Sequence, residues 1–145
     1  MKLEHASHCT YSCLYHVIFI PKYRKRKLFT GIRPWLIERF KELAAQKGCR
    51  IETGVGGIQI DHVHMVISIP PKLSVAGVVG YIKGKSAILI ARDFTGKKRN
   101  FVGEHFWARG YFVSTVGADE ETIKKYVENQ NKADIKFDRM NGRLS

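Results

Sequence analysis

The run Asp61-His62-Val63-His64-Met65-Val66-Ile67-Ser68-Ile69 alternates polar and apolar side chains until Pro70-Pro71 ends it. Period-two alternation stopped by prolines reads as a β-strand with one face buried. Val63, Met65, Ile67 and Ile69 leave one face, toward expected helices, and His62 and His64 leave the other. The strand is read as running from Ile58 to Ile69, with Gly56-Gly57 as a turn or bulge before it.

Outward from this strand, the two kinds of periodicity alternate. Upstream, Arg50 to Val55 reads as a strand, and so does Tyr11 to Ile20, which Pro21 stops. Between them a helix is expected with Pro34 as its first residue. Leu36, Ile37, Phe40, Leu43 and Ala44 then recur at helical spacing up to Gly48. Downstream, Ser74 can cap a helix whose buried face carries Val75, Val78, Val79, Ile82, Ser86, Leu89 and Ile90. Asp93 to Gly103 reads as a basic loop and Phe106 to Val116 as a fourth strand. Asp119 can cap a final helix with Ile123, Tyr126, Val127 and Gln130 on one face. The order predicts an α+β protein: a ferredoxin-like βαββαβ sandwich with an antiparallel sheet and an extra C-terminal helix. One domain is expected over 1–145, with a core at 1–117 and the last helix and tail at 118–145. The N-terminus is read as frayed.

The chain has 145 residues, 25 Lys plus Arg and 13 Asp plus Glu, a formal charge of +12. At 44% hydrophobic and 11% aromatic it has the composition of a folded domain rather than of a disordered basic tail. Such a charge favours a polyanion as partner, nucleic acid before a membrane surface. No apolar run approaches the ~18 residues of a membrane span, and no signal peptide is evident. Cys9, Cys13 and Cys49 are an odd number at no zinc-finger spacing. A cytoplasmic protein with reduced thiols is expected.

His62 and His64 can take adjacent positions around one cation. Six histidines in 145 residues make one such pair a weak signal, and two hydrogen-bonded structural histidines would look the same. Zincin proteases need His-Glu-x-x-His on a helix, which is absent. Tyr126 and Gln130 are four apart and share a helix face. A phenol can attack phosphorus, although its ordinary pKa near 10 demands help from a cation or base. Two imidazoles and a glutamine oxygen would hold a divalent ion without cancelling its charge, leaving it a Lewis acid for a phosphodiester. Tyr126 would equally serve as a core residue beside Ile123 and Val127.

Gly80-Tyr81-Ile82-Lys83-Gly84-Lys85-Ser86 is a near miss to a P-loop. It has three residues between its glycines where four are needed, and it lies in a helical pattern, so no nucleotide cofactor is expected. Lys83 and Lys85 are instead candidates for DNA backbone contact. Lys22-Tyr23-Arg24-Lys25-Arg26-Lys27 holds five cations in six residues. Its charges can track a phosphate backbone while Tyr23 stacks on a base. Arg99, Trp107 and Arg109 are lesser candidates for strand or hairpin contact.

Five segments together resemble the small single-tyrosine transposases of bacterial and archaeal insertion sequences, a branch of the HUH (His-hydrophobic-His) endonucleases. They are Tyr15 to Arg24, Asp61 to His64, Lys83 to Ser86, Phe106 to Gly117 and Tyr126 to Gln130, in the family's order across most of the chain. No motif position departs from the pattern. The resemblance implies a metal site of His62, His64 and Gln130 for Mg²⁺ or Mn²⁺. It implies that Tyr126 attacks hairpin-bearing single-stranded DNA to give a 5′-phosphotyrosine and a free 3′-OH, and that strands are rejoined without ATP. It further implies a homodimer in which the tyrosine helix of one subunit can complete the other's site, with Gly117 as a hinge. Two alternatives stay open: a non-catalytic ferredoxin-like module binding single-stranded nucleic acid, and a domesticated relative cutting repeated palindromes.

Overall fold

The computed structural model describes residues 3–6, 9–52, 57–94 and 106–142. In chain order these form β1 (Glu4–Ala6), β2 (Cys9–Tyr11), β3 (Leu14–Phe19), a 3₁₀ turn (Tyr23–Lys25), α1 (Arg26–Gln46), β4 (Arg50–Ile51) and β5 (Gly57–Ile58). There follow β6 (Val63–Ser68), α2 (Val75–Phe94), β7 (Phe112–Ser114) and α3 (Glu120–Met140). The main sheet runs β4-β6-β3-β7, all antiparallel, with β5 also on β6. With α1 between β3 and β4 and α2 between β6 and β7, this is the ferredoxin-like arrangement with an added C-terminal helix.

Alternation along the two central strands decides what lies on each side. Val17 and Phe19 of β3, with Val63, Met65 and Ile67 of β6, point toward α1 and α2 and are buried with Phe29, Leu36, Phe40, Val79 and Ile82. The even-numbered residues face α3, where Ile20 packs with Ala108 and Val127. Each helix begins or ends on identifiable chemistry. Ser74 Oγ accepts from the Gly77 amide (3.0 Å) and Asp119 Oδ1 from the Thr122 amide (2.7 Å), as their positions before the helices predict. Gly48, at φ 73°, turns the chain out of α1 in a conformation that side chains disfavour.

The structure corrects several boundaries. The expected strand Tyr11 to Ile20 is two strands: β2 pairs back on β1, so the N-terminus is a hairpin rather than frayed. It is tied to the sheet by Glu4, which pairs with Arg50. The strand expected from Ile58 is a hairpin instead, with Ile58 opposite Val63 and the Gln59 amide donating to the His62 carbonyl (2.8 Å). Helix α1 starts eight residues before Pro34, which lies inside it. Proline leaves the carbonyl four residues back without its donor. That carbonyl, on Thr30, accepts from Arg33 Nε instead (3.0 Å), so the local sequence repairs the break. Ile37, expected in the core, is 39% exposed.

The fourth strand is the largest correction. Only Phe112–Ser114 is strand. Phe106, Trp107 and Ala108 instead plug the core, bridged to Pro21. Trp107 stands edge-on to Phe19 at 4.8 Å and to Phe106 at 4.7 Å, and its Nε1 donates to the buried Ser86 Oγ (3.0 Å). Helix α2 extends through Asp93 to Phe94, shortening the expected loop, and Arg99 lies outside the described residues. No helix among the described residues is long and apolar enough to cross a membrane.

Candidate active site

His62 and His64 are set by the β5–β6 hairpin. His64 lies on β6 opposite Ile18, and His62 ends the turn that precedes the strand. Being two apart, they open into the same groove, a cavity of about 790 Å³. One wall is β6 and its turn, with Gln59, Asp61, His62 and His64; the other is α3, with Glu120, Ile123, Val127 and Glu128.

Both imidazoles are held by one ring edge. His62 Nδ1 lies 2.7 Å from Asp61 Oδ1. A carboxylate only accepts, so Nδ1–H donates and the Nε2 lone pair is left for a ligand. His64 Nε2 lies 3.1 Å from His16 Nδ1 on the neighbouring strand. Burial, and then the nearby His16 and His62 rings, hold the His64 pKa below the usual histidine value. The neutral form that a cation requires is thereby favoured.

Tyr126 and Gln130 are on α3 as the helical reading has them, but neither lines this groove. Tyr126 packs beside Ile20, Ala108 and Val127, with its ring 5.8 Å from Phe112 of β7. Strands β6 and β7 are separated by β3, so they lie two strand spacings apart, about 10 Å. The Tyr126 hydroxyl is buried with no hydrogen-bond partner among the described residues. Burial pushes its pKa up to about 12. Gln130 faces a smaller cavity of about 230 Å³ with Arg109, Asp134 and Phe137, and its Nε2 donates to the Arg109 carbonyl (2.6 Å). Gly110, at φ 83°, makes the turn that presents the neighbouring carbonyls. Within one chain, then, the two histidines come together and the tyrosine and glutamine stay apart from them.

The expected DNA contacts divide. Lys22 is a correction: at 2% exposure it is buried, with Nζ 3.6 Å from Asp134 and 3.9 Å from Asp138. Arg24 pairs with Asp138 at 3.6 Å, and the Tyr23 amide donates to Asp134 Oδ2 (2.7 Å). Asp134 and Asp138, one turn apart, thus moor the far half of α3 to the segment after β3. Lys83 is a second correction. Its ammonium donates to the carbonyls of Ala108 (2.9 Å) and Gly110 (2.8 Å), and burial lowers its pKa to about 8. Trp107 is a third, being in the core. Tyr23, Lys85 and Arg109 remain exposed, Lys25 is half-buried, and Arg26 reaches the histidine groove. Tyr23 has the Arg26 guanidinium 5.4 Å from its ring, and Arg109 stacks 4.5 Å from Phe137.

The sequence reading gave no role to His16, Asp134 or Asp138. His16 shares the parity of Ile18 and Ile20, which was the signal for its facing the histidine side. Two acids at helical spacing after Gln130, in so basic a chain, were the signal for the mooring.

Residues 9–130 match the family described as "Transposase IS200 like". The transposase for insertion sequence element IS200 of Salmonella typhimurium is 34% identical over 139 residues, 96% of this chain and 88% of that protein. The ISDra2 transposase TnpA of Deinococcus radiodurans is 30% identical over 122 residues, covering 83% of this chain and 86% of its own. A crystal structure at 1.90 Å of a Deinococcus radiodurans protein assigned to the transposases superposes with a TM-score of 0.69 at 26% identity, over 88% of this chain and 97% of that one. A fold, a paired-histidine groove and a match over most of the chain agree, and the chain belongs to the IS200-like transposase family.

Proposed function

We propose that this transposase cuts and rejoins hairpin-bearing single-stranded DNA through a 5′-phosphotyrosine. The observation that carries the reading is the groove in which His62 and His64 lie side by side, each tied at one ring edge. Two imidazoles suit a divalent cation and leave its charge uncancelled. Among the described residues no three His, Cys, Asp or Glu cluster to hold an ion, and a glutamine oxygen is a neutral donor that can add to two imidazoles. His62, His64 and Gln130 would hold Mg²⁺ or Mn²⁺. Bound there, the ion supplies Lewis acidity at the scissile phosphate.

Tyr126 is the nucleophile of this scheme. Its Oη forms a bond to phosphorus as the P–O3′ bond breaks; the phenol gives up its proton and the departing O3′ takes one up to become the 3′-OH, so the strand ends are ready for the reverse exchange. One ester replaces another, so no nucleotide is consumed. Tyr126 and Gln130 stand apart from their own chain's histidines, which supports a homodimer in which one chain's α3 completes its partner's groove. Tyr23, Lys25, Arg26, Lys85 and Arg109 serve as contacts to the strand and hairpin, with Arg24 held at their edge by Asp138.

The test is a gel assay on labelled single strands from the flanks of the gene, with Mg²⁺, Mn²⁺ or EDTA. The expected result is a metal-dependent covalent protein–DNA band that Tyr126→Phe and His64→Ala abolish. Binding without such a band, with hairpins of both flanks supplied, would leave a non-catalytic single-strand binder as the reading.

A further inference from the structure

His16 lies on β3, opposite Ser114 of β7 on one side and Val66 of β6 on the other. It is therefore the diagonal neighbour of His64, which lies opposite Ile18. The rings meet edge to edge, with Nδ1 of His16 3.1 Å from Nε2 of His64, centroids 5.4 Å apart and planes inclined by 49°. A ring-to-ring hydrogen bond needs one nitrogen protonated and the other not. On its far side His16 lies under Gly117, where a Cβ would sit 3.7 Å from its Cε1. His16 thus fills the space between a groove histidine and the segment that leads into the tyrosine helix.

The two groove histidines have different supports. His62 is tied through Nδ1 to a carboxylate, which leaves Nε2 open. His64 is tied through Nε2 to another imidazole, which leaves Nδ1 as the nitrogen without a hydrogen-bond partner among the described residues. A lone pair on Nδ1 of a neutral imidazole requires the proton on Nε2. That proton then points at His16 Nδ1, which must accept. We infer that His16 is a positioning residue: it accepts the His64 Nε2–H, fixes the His64 tautomer and ring angle, and so presents Nδ1 to the cation. The inference rests on the metal-site reading above and adds to it an asymmetry, with one ligand histidine held by an acid and the other by a third histidine. Supports of this kind carry much of a site's metal affinity, typically 10–100-fold.

Two measurements test it. Long-range ¹H–¹⁵N correlation on the metal-free wild type reads the His64 tautomer directly; the Nε2–H form is expected, and the Nδ1–H form would overturn the inference. Mn²⁺ affinity is then measured for wild type, His62→Ala, His16→Leu and His16→Gln, each checked for folding by circular dichroism. The amide oxygen of Gln can still accept, whereas Leu cannot. His16→Leu is expected to lose at least about ten-fold in Mn²⁺ affinity, and His16→Gln to stay within about three-fold of wild type. Wild-type affinity in a folded His16→Leu, or equal losses in both variants, would overturn the positioning role. The metal-site reading fails separately, if wild type binds no Mn²⁺ or if His62→Ala binds it unchanged; the tautomer still decides the hydrogen bond in that case.

Discussion

Replacing Lys22 with Met separates two physical roles for one cation. Lys22 is 2% exposed, and its ammonium stands between Asp134 (3.6 Å) and Asp138 (3.9 Å), of which Asp138 is fully buried. Met keeps most of the stem's volume, so the change isolates the charge. Removing one partner of a buried pair costs about 3–5 kcal/mol, because the remaining charge loses its compensation. Here Arg24 still faces Asp138 at 3.6 Å and the Tyr23 amide still donates to Asp134, which argues for the lower end, about 3 kcal/mol. For a domain of this size that is a fall in Tm of roughly 10 °C. The assay is urea and thermal unfolding followed by circular dichroism. Adding Asp138→Leu removes a charge of each sign and is expected to recover at least half of the loss. Salt dependence of single-strand binding, measured at a temperature where the variant is folded, should keep the wild-type slope. A cation neutralising a phosphate would instead have lowered that slope by about 0.7. A stability cost below about 1 kcal/mol together with such a drop in slope would refute the mooring and return Lys22 to the DNA surface.

Tyr126→Phe deletes a buried hydroxyl that lacks a partner among the described residues, so at pH 7 its unfolding midpoint should equal or exceed that of wild type; a large loss would show that the hydroxyl is bonded. The Tyr126 pKa is raised to about 12, so its contribution to stability is complete below the ordinary value near 10 and is lost as pH rises through 12. The Phe variant should lack that alkaline loss in urea titrations. The Lys83 pKa is lowered to about 8 from 10.5, so its contribution runs the other way, complete above 10.5 and lost as pH falls through 8. Wild type should gain on Lys83→Met between those values, and a constant difference in midpoint would refute the shift. Trp107→Ala should cost about 3–5 kcal/mol with collapse of near-ultraviolet circular dichroism, against near-neutrality if the ring belonged to a DNA-facing surface.

The central strands and the two capped helices were legible because alternation and caps are local. β6 declares its faces through Val63, Met65 and Ile67, and Asp119 declares the start of α3. What was misread depended on partners far along the chain. Phe106 to Val116 has the composition of a strand, yet Trp107 has better use for its ring against Phe19 and Phe29 than in a ladder. Pro34 reads as a helix start unless Arg33 is known to serve the carbonyl it orphans. The placement of His62 and His64 on one groove wall, and of Tyr126 and Gln130 on α3, follows from their spacing alone. The supports of the pair were only half visible: Asp61 adjoins His62 in sequence, whereas His16 is 48 residues from His64 and meets it only through strand pairing. The cations of the basic run all look alike in sequence, and only packing distinguishes the buried Lys22 from the exposed Lys27 and groove-lining Arg26.

The burial of Tyr126 has a bearing on dosage. A phenol that is desolvated, protonated and set outside the groove of its own histidines is chemically quiet toward passing phosphodiesters. With the second chain supplying the tyrosine, as proposed, the competent species at low occupancy grows with the square of the protein concentration, so halving synthesis would lower cutting about four-fold. Scarcity alone would then restrain the enzyme, with no inhibitor required.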